Sequence, residues 1–238
     1  MTEELFRADH YLQRCDATVT AADAAGIVLD RTVFYVTGGG QPGDTGALTL
    51  ADGQVLRIAD TRKDKLTGAI LHIPEPGQAL PEVGQSLSAE IDWARRYRHM
   101  RAHTAMHLLC AAIPFPVTGG QVGEAKGRLD FDADSAIDKD AVEAKLNALV
   151  AGDHKVGVRW ITDEEMAARP ELIRTMSVKP PMGLGKVRLL EIESVDLQPC
   201  GGTHVAHLAE IGPVTIVKIE SKGARNRRVS ITLADTLA

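Results

Sequence analysis

The chain has 238 residues, 44% of them hydrophobic, and a formal net charge of −5, enough apolar material for one large core or two small ones and too much for disorder. No run of about 18 apolar residues occurs and the opening MTEELFRADHYLQRC is too polar for a signal-peptide core, which disfavours a membrane or secreted protein and makes the cytoplasm the expected compartment. Cys15, Cys110 and Cys200 are too few and odd in number for a disulfide framework, and the negative net charge requires any nucleic-acid contact to come from a local basic patch.

Up to Asp92, short apolar-alternating segments are separated by Gly and Pro breaks. They are AGIVLDRTVFYV, ALTLADGQVLRIADTRK, AILHI and SLSAEID, with TGGGQPGDTG between the first two and Pro74, Pro76, Gly77 and Pro81 clustered in a loop. This spacing predicts a small β-barrel or sandwich. From Trp93 the pattern changes: WARRYRHMRAHTAMHLLCAAI runs without Gly or Pro, and Met106, Leu109, Cys110 and Ile113 recur at helical spacing. After Pro114 and Pro116 a Gly-rich turn leads into the segment GRLDFD, IDKDAVEAKLNALVAG reads as an amphipathic helix ending near Gly152, and KVGVRWIT reads as a strand. DEEMAARPELI reads as a short helix broken by Pro170, and KVRLLEIESVDLQ and GPVTIVKIESKGARNRRVSITLA read as strands, with a hairpin around Gly223 to Asn226. The expected class is α+β, with a β-barrel domain over residues 1–92 and an α+β domain over residues 93–238, without internal repeats.

His103 and His107 stand at i and i+4 of the expected helix, their Cβ atoms about 6 Å apart on one face, which makes either a metal half-site or simply two helical histidines. In QPCGGTHVAH, Cys200 offers a thiolate and His204 an imidazole, and Gly201 and Gly202 let the backbone turn so that both reach inward. A buried structural cysteine in a Gly turn is the plain alternative. Together the four donors suit the nitrogen and sulfur preference of zinc. A metalloprotease helix would carry Glu directly after the first His, where this chain has Thr104. Four protein ligands normally close a tetrahedral structural site, whereas catalytic zinc keeps a position for water or substrate, and both roles stay open here.

RAHTAMHLL followed by PCGGTHV resembles the paired signature of the alanyl-tRNA synthetase editing domain and of its free-standing relatives, the AlaX proteins. GRLDFD and EIGPVTIVKIESKGARNRRV carry the resemblance from about Asp92 to the C-terminus, and FYVTGGGQPGDTGAL resembles the glycine-rich segment of the longer AlaX form. The resemblance implies a trans-acting hydrolase, without an aminoacylation domain, that uses zinc to remove serine or glycine from wrongly charged alanine tRNA. It carries over His103, His107, Cys200 and His204 as ligands of Zn2+, which would activate water, polarise the ester or anchor the substrate. Thr118 and Gln121, in the PVTGGQVGEAKGRLDF segment that the family places beside the metal, are candidates to pair with the serine hydroxyl, because an apolar pocket rejects an added hydroxyl only weakly. Gly38, Gly39, Gly40 and Gln41 either close over the site or contact the acceptor end, or form an ordinary Gly-rich turn.

For RNA contact, Lys218, Lys222, Arg225, Arg227 and Arg228 gather near the final hairpin, and Arg95, Arg96, Arg98 and Arg101 form a second basic set; solvated faces are the plain alternative for each. Aromatic residues, at 4%, offer little for base stacking. Asp130 and Asp132, flanking Phe131, are expected to face solvent. Two other functions compete: a non-catalytic tRNA- or protein-binding module with structural zinc, and a zinc hydrolase of another small ester or amide. Threonine tRNA, the substrate of a related editing domain, is disfavoured by CGGTHV.

Overall fold

The computed structural model describes residues 2–176, 183 and 185–234. The chain divides into two compact units, Met1–Gly38 with Pro42–Tyr97, and Gly39–Gln41 with Arg98–Ala238. The division falls inside the long helix, a few residues beyond the change of pattern at Trp93.

In the first unit the strands are β1 (Glu3–Glu4), β2 (Arg14–Asp23), β3 (Gly26–Leu29), β4 (Arg31–Thr32), β5 (Gly46–Leu50), β6 (Val55–Lys63), β7 (Ile70–Pro74) and β8 (Ser86–Ile91). Six of them close an antiparallel barrel in the order β2-β3-β7-β6-β5-β8. Alternation sends Val19, Ile27, Leu29, Leu48, Leu56 and Leu87 inward to fill it. β2 has no clear signal in the sequence, since RCDATVTAAD is rich in the poor strand formers Ala and Asp; pairing on both edges overrides that propensity. Asp44 is buried here and accepts from the Tyr35 N–H (2.6 Å) and from Arg96 Nε (2.8 Å). Arg96 also donates to the carbonyls of His10 and Val33 and is itself fully buried. It therefore holds the barrel's connections together and is removed from the basic set expected for RNA.

The second unit continues α1 (Trp93–Ala112) and adds β9 (Val117–Gly123), β10 (Lys126–Asp132), α2 (Lys139–Ala151), β11 (Val156–Thr162), α3 (Asp163–Ala167), β12 (Lys186–Ile192), β13 (Asp196–Pro199), β14 (Val214–Ser221) and β15 (Asn226–Leu233). These strands form two antiparallel sheets, β14-β15-β10-β9 and β11-β12-β13. The class is mixed α+β, as expected. The Gly-rich turn expected after Pro116 is instead the strand β9. Gly120 is needed there because a Cβ would lie 2.7 Å from Leu129 Cδ2 on the neighbouring strand. Asp138 caps α2 by accepting from Ala141 N–H (3.1 Å), and Val142, Leu146 and Val150 bury its apolar stripe. The Asn147 amide on the same helix pairs with both N–H (2.9 Å) and C=O (2.8 Å) of Val214, satisfying backbone groups at the start of strand β14.

Helix α1 is buried on all sides from His99 to Cys110. Apolar periodicity describes only part of it, because Arg101, His103, Thr104 and His107 are enclosed with the apolar residues. Arg101 donates to the carbonyls of Ile211 (2.7 Å) and Ala234 (2.8 Å), so it too is structural and leaves the second basic set. Asp130 does not face solvent as expected: it is 8% exposed and held by Arg228 (2.7 Å) and Arg128 (3.2 Å). Among the described residues no helix is long and apolar enough to cross a membrane.

Candidate metal centre

One turn of helix separates His103 from His107 on α1, and the glycine turn after β13 brings Cys200 and His204 to the same place. The four donor atoms lie within 4.8 Å of one another. All three histidines are buried and Cys200 is half-buried. Cys200 Sγ stands 3.6 Å from His103 Nε2 and 3.2 Å from His204 Nε2. A tetrahedral zinc with Zn–S near 2.3 Å and Zn–N near 2.0–2.1 Å sets sulfur and nitrogen ligands about 3.6 Å apart, which the His103 spacing matches and the His204 spacing approaches.

The opposite ring nitrogens are engaged elsewhere, which fixes ring orientation. His103 Nδ1–H donates to Gln41 Oε1 (2.8 Å). That amide is oriented by Thr203, whose N–H donates to the same oxygen (3.2 Å) and whose hydroxyl accepts from Gln41 Nε2 (2.8 Å). Thr104 gives its hydroxyl proton to the Met100 carbonyl (2.8 Å) and accepts from His204 Nδ1 (3.2 Å). His103 and His204 thus turn Nε2 toward Cys200, the usual arrangement of ligating histidines backed by an oxygen. His107 Nδ1 is buried without a hydrogen-bond partner. Burial, with the Arg188 charge behind it, pulls the His107 pKa down to about 3, keeping a neutral imidazole. Burial pushes the Cys200 thiol up, so a thiolate here requires a nearby cation. Three imidazoles and one sulfur, with one of the imidazoles carrying an orphaned buried nitrogen, are a donor set that a metal ion completes.

Two backbone features hold this geometry. Gly202 lies so close to His103 that a Cβ would meet Nδ1 at 2.5 Å. Arg188 donates to the carbonyls of Cys200 and Gly202, pinning the turn. Gly39 and Gly40 take left-handed φ values of 56° and 81°, and Gly40 accepts from the Val122 N–H (2.8 Å), which delivers Gln41 into the second unit. The 38–41 segment is therefore a Gly-rich turn whose last side chain touches the cluster. Gly38 instead accepts from the Tyr35 hydroxyl (2.9 Å) within the first unit. Thr118 is half-buried and donates to the Asp130 carbonyl (3.1 Å), while Gln121 is exposed and accepts from Arg128 (3.2 Å). Near the final hairpin Arg225 pairs with Asp132 (2.8 Å), Arg228 with Asp130 (2.7 Å) and Lys222 with Glu220 (3.3 Å); Arg227 donates to the Gly223 carbonyl (3.1 Å). Sequence reasoning found Gly202 as the turn that lets Cys200 and His204 reach inward but missed Thr104, Thr203 and Arg188 as supports of the site. Their signal was position: each adjoins a donor in the chain or across a strand pair.

The family of the threonyl and alanyl tRNA synthetase second additional domain matches residues 187–230, and that of class II (A) tRNA synthetases matches residues 6–95. The chain is 36% identical to alanyl-tRNA editing protein AlaX-M of Methanosarcina mazei, over 99% of this chain and 98% of that protein. AlaX-M of Methanosarcina barkeri is 37% identical over 99% of this chain and its own full length. This chain belongs to the AlaX family. An alanine–tRNA ligase of Metallosphaera sedula is 34% identical over 92% of the AlaX chain but only 25% of the ligase. The segment 187–230 contains Cys200 and His204 but neither His103 nor His107. The joining of the two donor pairs in this AlaX protein is a result of the fold.

Proposed function

We propose that this protein is a trans-editing hydrolase that cleaves the ester joining wrongly attached serine or glycine to alanine tRNA in the cytoplasm. Residues 93–238 form its editing domain and residues 1–92 a barrel that accompanies it. The observation that carries the reading is the convergence of His103, His107, Cys200 and His204 within 4.8 Å in a chain of the AlaX family. Bound there, Zn2+ supplies a Lewis acid that polarises the ester carbonyl and lowers the pKa of water. The chain's residues do the rest. Gln41 and Thr104 fix the rings of His103 and His204, and Arg188 fixes the turn bearing Cys200. Cys200 is the least buried of the four donor residues, which supports entry of substrate from its side.

Rejecting alanine in favour of serine requires a polar partner for the added hydroxyl. Thr118 and Gln121 are the candidates. Thr118 is better placed, since its oxygen keeps lone pairs for a substrate hydroxyl while its own proton goes to Asp130; Gln121 is occupied by Arg128. Lys222, Arg225, Arg227 and Arg228 supply backbone phosphate contacts, although three of them share their charge with carboxylates, and the Gly38 to Gln41 turn lines the acceptor end.

A four-donor set also suits structural zinc in a non-catalytic tRNA- or protein-binding module. One experiment separates the readings: deacylation of serine-charged and alanine-charged alanine tRNA by zinc-loaded and chelated protein. Selective, zinc-dependent loss of serine supports editing. Intact ester with retained tRNA binding supports the structural module, and equal hydrolysis of a simple seryl ester supports a general esterase.

A further inference from the structure

Trp160 breaks the pattern of the sheet it belongs to. It lies in β11 on the sheet face that carries the buried Leu190 and Arg188, yet 47% of it is exposed. The register sets Trp160 opposite Arg188. Leu189 pairs with Pro199, and carrying that register one residue further sets Arg188 opposite Cys200, whose N–H donates to the Arg188 carbonyl (3.2 Å). Trp160, Arg188 and Cys200 therefore form one row across three adjacent strands, with Trp160 about 10 Å from Cys200 after two cross-strand steps. Lys186 Nζ sits over the Trp160 ring, 4.8 Å from its centroid, so a cation accompanies the exposed aromatic face.

We infer that Trp160 is a stacking platform for the 3′-terminal nucleobase of the RNA whose ester reaches the His–Cys cluster. This inference rests on the editing reading and deepens it by naming where the end of the RNA lies. A ring face flanked by a lysine matches a base and its phosphate, and sequence-tolerant base–aromatic stacking with a nearby positive charge is how proteins hold single-stranded ends. The row gives the span, with the base on Trp160 and the ester at Cys200; Arg188 between them is buried and holds the Cys200 turn. A second copy of this chain docked along β11 would also cover Trp160, and the test includes that outcome.

The test uses full-length zinc-loaded protein carrying Trp93→Phe, which leaves Trp160 as the only remaining one of the two tryptophans. The probe is an uncharged alanine-tRNA acceptor minihelix, compared with the same minihelix made abasic at its 3′-terminal nucleotide. The intact RNA should quench Trp160 fluorescence saturably, and the abasic RNA should bind about 5- to 150-fold more weakly without quenching, the range equivalent to 1–3 kcal/mol of stacking. Trp160→Ala should raise Kd, and KM for the seryl ester, by a similar factor and bind both RNAs alike, whereas Trp160→Phe should retain most of the affinity. Unchanged fluorescence at saturating RNA, equal affinity for intact and abasic RNA, or a protein dimer lost in Trp160→Ala without any effect on RNA would overturn the inference. Quenching without ester hydrolysis refutes the editing reading alone; hydrolysis indifferent to Trp160 refutes this one alone.

Discussion

Replacing Gln41 by Leu removes an amide that makes three hydrogen bonds at the site, to His103 Nδ1, to Thr203 N–H and to the Thr203 hydroxyl. Leu has similar bulk, so the change tests polarity and not volume. Two buried donors, His103 Nδ1–H and Thr203 N–H, lose their acceptor, at about 1–3 kcal/mol each. Most of that cost falls on the metal-free and metal-bound states alike and appears as lost stability, a fall in Tm of about 4 °C or more. Only the freed orientation of the His103 ring separates the two states, and loss of such outer partners typically lowers metal affinity about 10- to 100-fold. Gln41→Glu keeps an oxygen facing His103 and lets the Thr203 hydroxyl rotate to donate, so it should hold zinc within a few-fold of wild type. Competition titration against a chelator of known zinc affinity measures all three proteins. Wild-type affinity in Gln41→Leu would refute the assignment of Gln41 as the residue that orients His103.

Gly202→Ala places a Cβ 2.5 Å from His103 Nδ1, so the ring must move, and metal analysis should find the purified variant depleted of zinc while the barrel stays folded. Asp44→Asn leaves the Arg96 charge buried without its counter-ion, which should cost about 3–5 kcal/mol in urea unfolding. His72, buried between Thr32 and the Ile27 carbonyl, has its pKa lowered by burial from 6.5 to about 4. Between those values the unfolded chain takes a proton that the folded one refuses. Stability from this group is therefore complete above pH 6.5 and falls by about 3 kcal/mol on acidification to pH 4, a slope that His72→Gln should flatten in pH-dependent unfolding. Arg227→Ala, which removes a hairpin cation that donates to the Gly223 and Ala224 carbonyls, should lower the slope of log affinity for tRNA against log salt by about one.

What the sequence discloses is set by range. The Gly- and Pro-free run from Trp93 discloses α1, and alternation between turns discloses most barrel strands, because these signals lie within a few neighbours. The donor pairs are legible for the same reason: His103 with His107 on one helix face, Cys200 with His204 across a glycine turn. Three things lay out of reach. Arg96 and Arg101 read as solvated charges, since their partners are the distant Asp44 carboxylate and the Ile211 and Ala234 carbonyls. Gln41 was legible only as part of a glycine-rich segment beside the site, and its bond to His103, 62 residues away, carries no pattern. The strand β9 is disguised by Gly119 and Gly120, the second of which makes room for the side chain of Leu129 rather than a turn.

The composition of α1 itself argues that the site is built for a cation. A helix enclosed from all sides is ordinarily apolar all round, because a buried polar group without a partner costs more than a buried methylene gains. In α1, Arg101 is matched by two backbone carbonyls and Thr104 by Met100 and His204. His103 is matched by Gln41 on Nδ1 and turns Nε2 to Cys200 Sγ (3.6 Å), and His107 keeps a buried nitrogen with no hydrogen-bond partner. His103 Nε2 and His204 Nε2 thus converge on Cys200 Sγ, with the neutral His107 imidazole beside them. Burial also opposes protonation of His107, which denies the cluster the simplest way of filling itself with hydrogen bonds. A ligand that accepts electron pairs from three imidazoles and a sulfur, and brings the charge that makes Cys200 a thiolate, removes all of these costs at once.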